Sequence, residues 1–319
     1  MAGDLLDRFC GCLLGLAVGD ALGMPVEGLT RDEIRASAGE VREMLAPAAD
    51  HFHSGLAPGQ YTDDTEQTLI LADSIIDAGF FDVERFAAKL AEWGRCWTAD
   101  PGQNRGVGWT SMTAIGELLR DRPWREAGLA TPTCGSAMRA APIGLVYHCN
   151  LDLVARYADL QSLPTHSAAA ARAGAVAVAA GVALSLLGFA PVKVLEMAAT
   201  LTERIDRDFA RRLLVVEELL DLDPAEALGE IGMSPMVSET VPAAFFCHLK
   251  LEPEEALIAA ASNGGDTDSI ASIAGALAGA SRGSGWIPER WLFHLEDRER
   301  IERVARDLAA VASRICSGI

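Results

Sequence analysis

Four glycines recur at every fourth position near the start of the chain, Gly11, Gly15, Gly19 and Gly23. On a helix that spacing makes a groove without side chains, into which a second backbone settles at close range. Residues 4–18 carry Leu5, Phe9, Leu13 and Leu16 along one side, as a helix requires. The membrane form of the motif does not fit, because Asp4, Asp7, Arg8 and Asp20 share the segment. The stretch from Ala173 to Ala190 also lacks charge and reaches the lower length limit for a membrane span. Its Ala, Gly and Ser content is too weakly hydrophobic for that role, so it reads as a central buried helix. Half of the residues are hydrophobic but only 6% are aromatic, so Ala, Leu, Val and Ile must fill the core and helices must pack closely. The expectation is an all-α fold, a single compact multi-helix domain spanning 1–319.

A chain of 319 residues is long enough for two domains, yet no linker, charged tail, tandem repeat or alternating strand divides this one. Residues 83–97 place Val83, Phe86, Leu90, Trp93 and Trp97 at helical spacing behind Asp82 as N-cap. Val194, Leu195, Leu201, Phe209, Leu213 and Leu214 continue the pattern through 191–232, and Pro253 opens a further helix. A last helix, about 297–315, alternates acids with arginines on a solvated face. The least regular stretch, 39–62, is a candidate rim or lid. A formal charge of −18 and a pI near 4.7 oppose nucleic-acid binding. The acidic start is wrong for a signal peptide, and seven cysteines without a Cys-x-x-Cys pair read as buried thiols of a reducing compartment. These features place the protein in the cytoplasm, off the membrane.

Two short clusters carry the chemistry, Thr62-Asp63-Asp64-Thr65 and Asp266-Thr267-Asp268-Ser269. Each stands where an apolar helix begins, so the helix dipole favours its anions. Their side chains offer hard oxygen ligands suited to Mg²⁺ or Mn²⁺. Pooled acids repel one another unless cations neutralise them, and two divalent cations can share a bridging carboxylate. Taken singly, either cluster also reads as an ordinary N-cap; the match between them favours two halves of one metal site. Other residues divide less sharply. His51 and His53 could chelate zinc, but no further His or Cys stands at metal spacing, so a loop or lid role is favoured. Cys134 reads as a small residue in a tight loop before a nucleophile, Asp20 as the pin of a tight turn, and Trp93 and Trp97 as core. Arg139 is divided equally between phosphate and a structural acid partner.

In chain order, several segments resemble the ADP-ribosylglycohydrolases. They are Gly19-Asp20-Ala21-Leu22-Gly23 with Glu27, Pro58-Gly59-Gln60-Tyr61-Thr62-Asp63-Asp64-Thr65, Asn104-Arg105-Gly106-Val107-Gly108, Gly135-Ser136-Ala137-Met138-Arg139, Thr165-His166-Ser167 and Gly264-Gly265-Asp266-Thr267-Asp268-Ser269. The resemblance implies a helical domain around two Mg²⁺ or Mn²⁺ ions, held by Thr62, Asp63 and Asp64 from one side and by Asp266, Asp268 and Ser269 from the other. It places Glu27 beside the scissile ribose and, with Asp63, at the catalytic centre. Gly135, Ser136 and Met138 match a loop facing the substrate diphosphate, and His166 a residue lining the ADP-ribose cleft. Cys134 departs from the Gly or Asn common there, and Val241-Pro242-Ala243-Ala244-Phe245-Phe246 resembles an apolar cleft wall. The implied function is metal-dependent cleavage of the glycosidic bond between ADP-ribose and an acceptor, such as an ADP-ribosylated protein. A dinuclear nucleoside or phosphoester hydrolase, or a non-catalytic ADP-ribose-binding or structural member, are the alternatives. Every expected ligand position holds an oxygen donor, which favours the enzyme.

Overall fold

The computed structural model describes residues 2–318. Among them lie seventeen α-helices and three short 3-10 turns, with no strand, around one continuous hydrophobic core. The glycine stripe lies on a helix from Ala2 to Gly23. It faces the Thr267–Arg282 helix, which runs antiparallel to it. A Cβ on Gly15 would overlap the carbonyl of Gly275, and one on Gly19 that of Ala271. Gly275 and Gly279 return the relation, each meeting the backbone of Gly15 or Gly11. The stripe therefore does what its spacing predicts: two backbones touch with nothing between them.

That pairing places the site. It sets the C-terminal end of the first helix against the start of the Thr267–Arg282 helix, where Thr267 Oγ1 donates to the Gly23 carbonyl at 2.9 Å. Beyond Gly23 the chain makes a 3-10 turn at Met24–Val26 and then pairs with the Gly264-Gly265 break. Gly28 N–H donates to Gly265 O at 2.8 Å, and Gly265 N–H to Leu29 O at 2.9 Å. Gly264 and Gly265 both hold positive φ, 88° and 74°, which is why two glycines precede the second acid cluster.

The Ala169–Leu186 helix is buried along nearly its whole length. It and the first helix are each apolar enough to cross a membrane, with hydropathy 1.7, but 83% and 94% of those windows are covered by the rest of the protein. The Val83–Ala99 helix begins as expected, with Asp82 Oδ1 accepting from Glu84 N–H and Arg85 N–H. Residues 191–232 divide into three helices, the second and third capped by Asp206 and Asp223. The final helix is Arg298–Ser317. No helix forms between Ser37 and Asp63, so the 39–62 segment is a long loop, anchored where Glu296 N–H donates to Gly59 O.

Three expectations are corrected. Asp20 pins no tight turn, because the first helix continues past it to Gly23. The apolar run 241–246 lines no cleft: it sits inside the Val237–Lys250 helix, wholly buried in the core. The cysteines are not all thiols, since Cys149 and Cys316 form a disulfide across a separation of 167 residues. No sequence pattern announces a pair that meets only when the last helix packs beside the 148–150 turn. Of the other five, Cys12, Cys134 and Cys247 are buried thiols, Cys10 is half-buried and Cys96 exposed. Closing so long a loop restricts the unfolded chain. Reductant, or Cys316→Ser, is expected to lower unfolding free energy by about 2–4 kcal/mol, read from denaturant melts with and without dithiothreitol.

Candidate active site

The two acid clusters meet at one cleft of about 320 Å³, into which Asp63, Asp64, Asp266, Asp268 and Ser269 all project together with Glu27. A larger hollow of about 490 Å³ beside Arg31, Asp223 and Glu255 gathers no comparable set of buried acids. The first cluster is held in place by Asp20. Its carboxylate accepts from Thr62 N–H at 2.9 Å, Thr65 N–H at 3.0 Å and the Thr65 hydroxyl at 2.6 Å. One buried acid thus fixes the first turn of the Asp63–Ala78 helix from outside it. Thr62 is its N-cap, accepting from Asp64 N–H at 3.3 Å, and lies fully buried behind the cleft wall. Asp266, at the head of the second cluster, caps nothing with its side chain. The N-cap reading therefore covers Thr62 and fails for the acids of the cleft.

Each acid has a distinct environment. Asp63 Oδ2 accepts from Gln67 Nε2 at 2.6 Å, and Gln67 Oε1 in turn accepts from Arg139. Arg139 is fully buried, bonded also to Gln161 and Thr165 and laid over the Phe86 ring. It is a structural residue that reaches the site through Gln67, and burial lowers its pKa to about 9. Asp266 Oδ2 accepts from the Thr240 hydroxyl at 2.6 Å and the Cys134 thiol at 3.2 Å. Asp64 Oδ2 and Asp268 Oδ1 have no hydrogen-bond partner among the described residues, although both residues are buried. Leaving an ionised carboxylate buried and unpaired costs on the order of several kcal/mol. Burial first, then repulsion among neighbours, pushes Glu27, Asp63, Asp64 and Asp268 well above the usual carboxylate range. Orphaned hard oxygens in such a cluster fit divalent cations.

Glu27 ends the Met24–Val26 turn and is clasped by a loop that sequence reasoning left without chemistry. His53 Nε2 lies 2.6 Å from Glu27 Oε2, and His51 Nε2 lies 2.8 Å from the Glu27 carbonyl. His53 N–H donates to His51 Nδ1 at 3.1 Å, so that nitrogen is unprotonated and His51 donates through Nε2. Burial lowers the His53 pKa to about 4, leaving a neutral ring. His53 stands in the loop as expected, and its ring also reaches the site through Glu27.

The opposite wall comes from the Cys134–Ser136 turn. Gly135 and Met138 line the cleft, whereas the Ser136 hydroxyl turns to the Ala171 carbonyl. A Cβ on Gly135 would overlap the His166 ring, and the Gly135 N–H donates to no acceptor among the described residues. His166 bonds Thr165 Oγ1 and Thr133 Oγ1, and burial lowers its pKa to about 3, so it is neutral. Burial, then the charge of Asp266, pushes the Cys134 thiol well above its ordinary range. Sequence reasoning also left out Trp109, 65% exposed on the rim beside Thr110 and Ser111. Its signal was the adjoining Asn104–Gly108 motif. Trp97, by contrast, is core as expected, and Trp93 packs partly against it while donating to Glu66.

Known proteins match the chain along almost its full length. The sequence model described as ADP-ribosylglycohydrolase matches residues 1–317. A protein of Archaeoglobus fulgidus is 44% identical over 97% of this chain and 98% of its own. The ADP-ribosylarginine hydrolase Tri1 of Serratia proteamaculans is 30% identical, covering 97% and 81%, and human ADP-ribosylhydrolase ARH3 is 30% identical, covering 96% and 94%. A solved structure titled ADP-ribosylglycohydrolase-related protein complex superposes with a TM-score of 0.73 at 31% identity, covering 97% of this chain and 99% of that one. The chain is thus a glycosidic-bond hydrolase and belongs to the ADP-ribosylglycohydrolase family.

Proposed function

We propose that the protein removes ADP-ribose from a conjugate, an ADP-ribosylated protein side chain such as arginine, using two Mg²⁺ or Mn²⁺ ions in the cytoplasm. The observation that carries the reading is the pair of buried, unpartnered oxygens, Asp64 Oδ2 and Asp268 Oδ1, in one cleft beside Glu27. Asp63, Asp64, Asp266, Asp268 and Ser269 would hold the ions, with Thr62 fixing the turn beneath them. When bound, the ions supply charge to fix the ribose hydroxyls and acidify a water.

The chain's own residues do the rest. Cleavage at the ribose C1″ passes through an oxocarbenium-like state, so a proton must be supplied or removed as the bond breaks. Glu27 would make that transfer, with His53 Nε2 2.6 Å from its carboxylate to orient it. The free Gly135 N–H offers a donor to a phosphate oxygen, and the bare Gly135 backbone lets that oxygen come close. Met138 and neutral His166 complete a wall that adds no charge against the acids. Trp109 on the rim gives a flat face for an adenine beyond the enclosed part.

Glu27→Gln tests the assignment by separating chemistry from binding. Turnover on ADP-ribosyl-arginine is expected to fall by roughly 10²–10⁴-fold, while calorimetric affinity for ADP-ribose changes little. Unchanged turnover would remove Glu27 from the proton transfer.

A further inference from the structure

We infer that Glu27, His53 and Asp268 form one cation position with a nitrogen ligand, which selects a transition-metal ion over Mg²⁺. The all-oxygen acid clusters hold no nitrogen, so His53 changes the donor chemistry of the cleft. The inference builds on the cation reading of the acids and is independent of the glycosidic reaction.

The geometry is already close to a coordination shell. The ligand atoms of Glu27, His53 and Asp268 all lie within 4.8 Å of one another. Zinc-type ions stand about 2.0–2.2 Å from nitrogen and oxygen donors, so side-chain adjustment suffices to close on one. His53 Nε2 and Glu27 Oε2 already stand side by side, 2.6 Å apart, as two donors that one ion can take together. Asp268 supplies the independent sign of a missing ligand, because its Oδ1 is buried without a partner among the described residues.

His53 is held ready for this role. It is 3% exposed, and its ring fills the space left by Gly106, where a Cβ would overlap it. Phe52 packs beside the ring at 4.3 Å between centroids. The His51 bonds to the Glu27 carbonyl and the His53 N–H lock the loop onto the same turn that carries Glu27. Imidazole suits Zn²⁺, Fe²⁺, Ni²⁺ and, less strongly, Mn²⁺, whereas Mg²⁺ keeps to oxygen and water.

The test loads the full chain with Mn²⁺ and records electron spin-echo modulation, which reports nitrogen bound to the ion. Calorimetry with Mn²⁺, Zn²⁺ and Mg²⁺ runs in parallel on wild type, His53→Gln and His53→Ala. Wild type is expected to show ¹⁴N modulation, and both variants to lose it. Zn²⁺ and Mn²⁺ affinity falls roughly tenfold or more in the variants while Mg²⁺ affinity changes little. Mn²⁺ binding without ¹⁴N modulation, and with an unaltered metal preference in both variants, would overturn the inference and leave the oxygen-held cations standing. No binding of any divalent ion would overturn both. Circular dichroism of His53→Gln, the milder change, separates a lost ligand from a collapsed loop.

Discussion

Asp268→Ala is expected to abolish hydrolysis by roughly 10²-fold or more while leaving the protein folded. Removing a partner that merely orients a metal ligand costs about 10–100-fold, and removing a ligand costs more. The folded state tolerates the change because the charge of Asp268 is a net burden without an ion: its Oδ1 is orphaned, and burial first, then repulsion from Glu27, Asp266 and Asp20, disfavours its ionised form. In the metal-free protein the sign follows from linkage. The folded-state pKa of Asp268 is raised, so its penalty is absent below the ordinary carboxylate range, grows as pH climbs from that range toward the raised value, and is complete above it. Metal-free wild type should therefore melt at lower temperature at pH 8 than at pH 5, and Asp268→Ala should narrow that gap. Added Mn²⁺ should raise the wild-type melting temperature more than that of the variant. A variant with wild-type turnover and an unchanged Mn²⁺ response would contradict the role given to the acid cluster.

Gly19→Val is expected to prevent folding. A Cβ there would overlap the carbonyl carbon and oxygen of Ala271 and crowd the Ser272 nitrogen. These are backbone atoms of a buried helix and cannot rotate aside, unlike a crowding side chain. The helices must separate, and the separation reaches Asp20 one residue on and Asp268 on the opposite helix of the pair. The cost exceeds about 4 kcal/mol, the range reserved for core overpacking and strain, against a total stability of about 5–15 kcal/mol. Gly229→Ala is the control. It lies in the Pro224–Ile231 helix with nothing within 4 Å of the added atom, so it should be neutral or stabilise by up to about 1 kcal/mol. Far-ultraviolet dichroism and soluble yield of the two variants decide the matter, and a cooperative, wild-type-like melt for Gly19→Val would refute the packing account.

What could be read in advance follows from how local each signal is. The glycine stripe and both acid clusters are contiguous, so spacing and residue type carried their meaning, and the all-helical core followed from apolar periodicity without strands. The resemblance supplied the link between Glu27 and the acids. Contacts made only by folding were out of reach. His53 meets Glu27 across 26 residues through a loop with no periodicity, and Cys149 meets Cys316 across 167. The run 241–246 reads as apolar whether it faces a cleft or the core, and only the rotation of its helix decides. Ser136 belongs to the right motif but its hydroxyl turns to the Ala171 carbonyl, because turn direction is set by the hydrogen bonds of the folded state.

The central claim is that the cleft releases ADP-ribose by a cation-dependent cleavage. Its most direct test incubates the protein with ADP-ribosyl-arginine and ADP-ribosyl-serine peptides in Mg²⁺, in Mn²⁺ and in excess chelator, and identifies the products by mass. Free ADP-ribose and intact, unmodified peptide should form with either ion and cease in chelator. Full activity in chelator, or release of adenine or phosphate in place of ADP-ribose, would contradict the account.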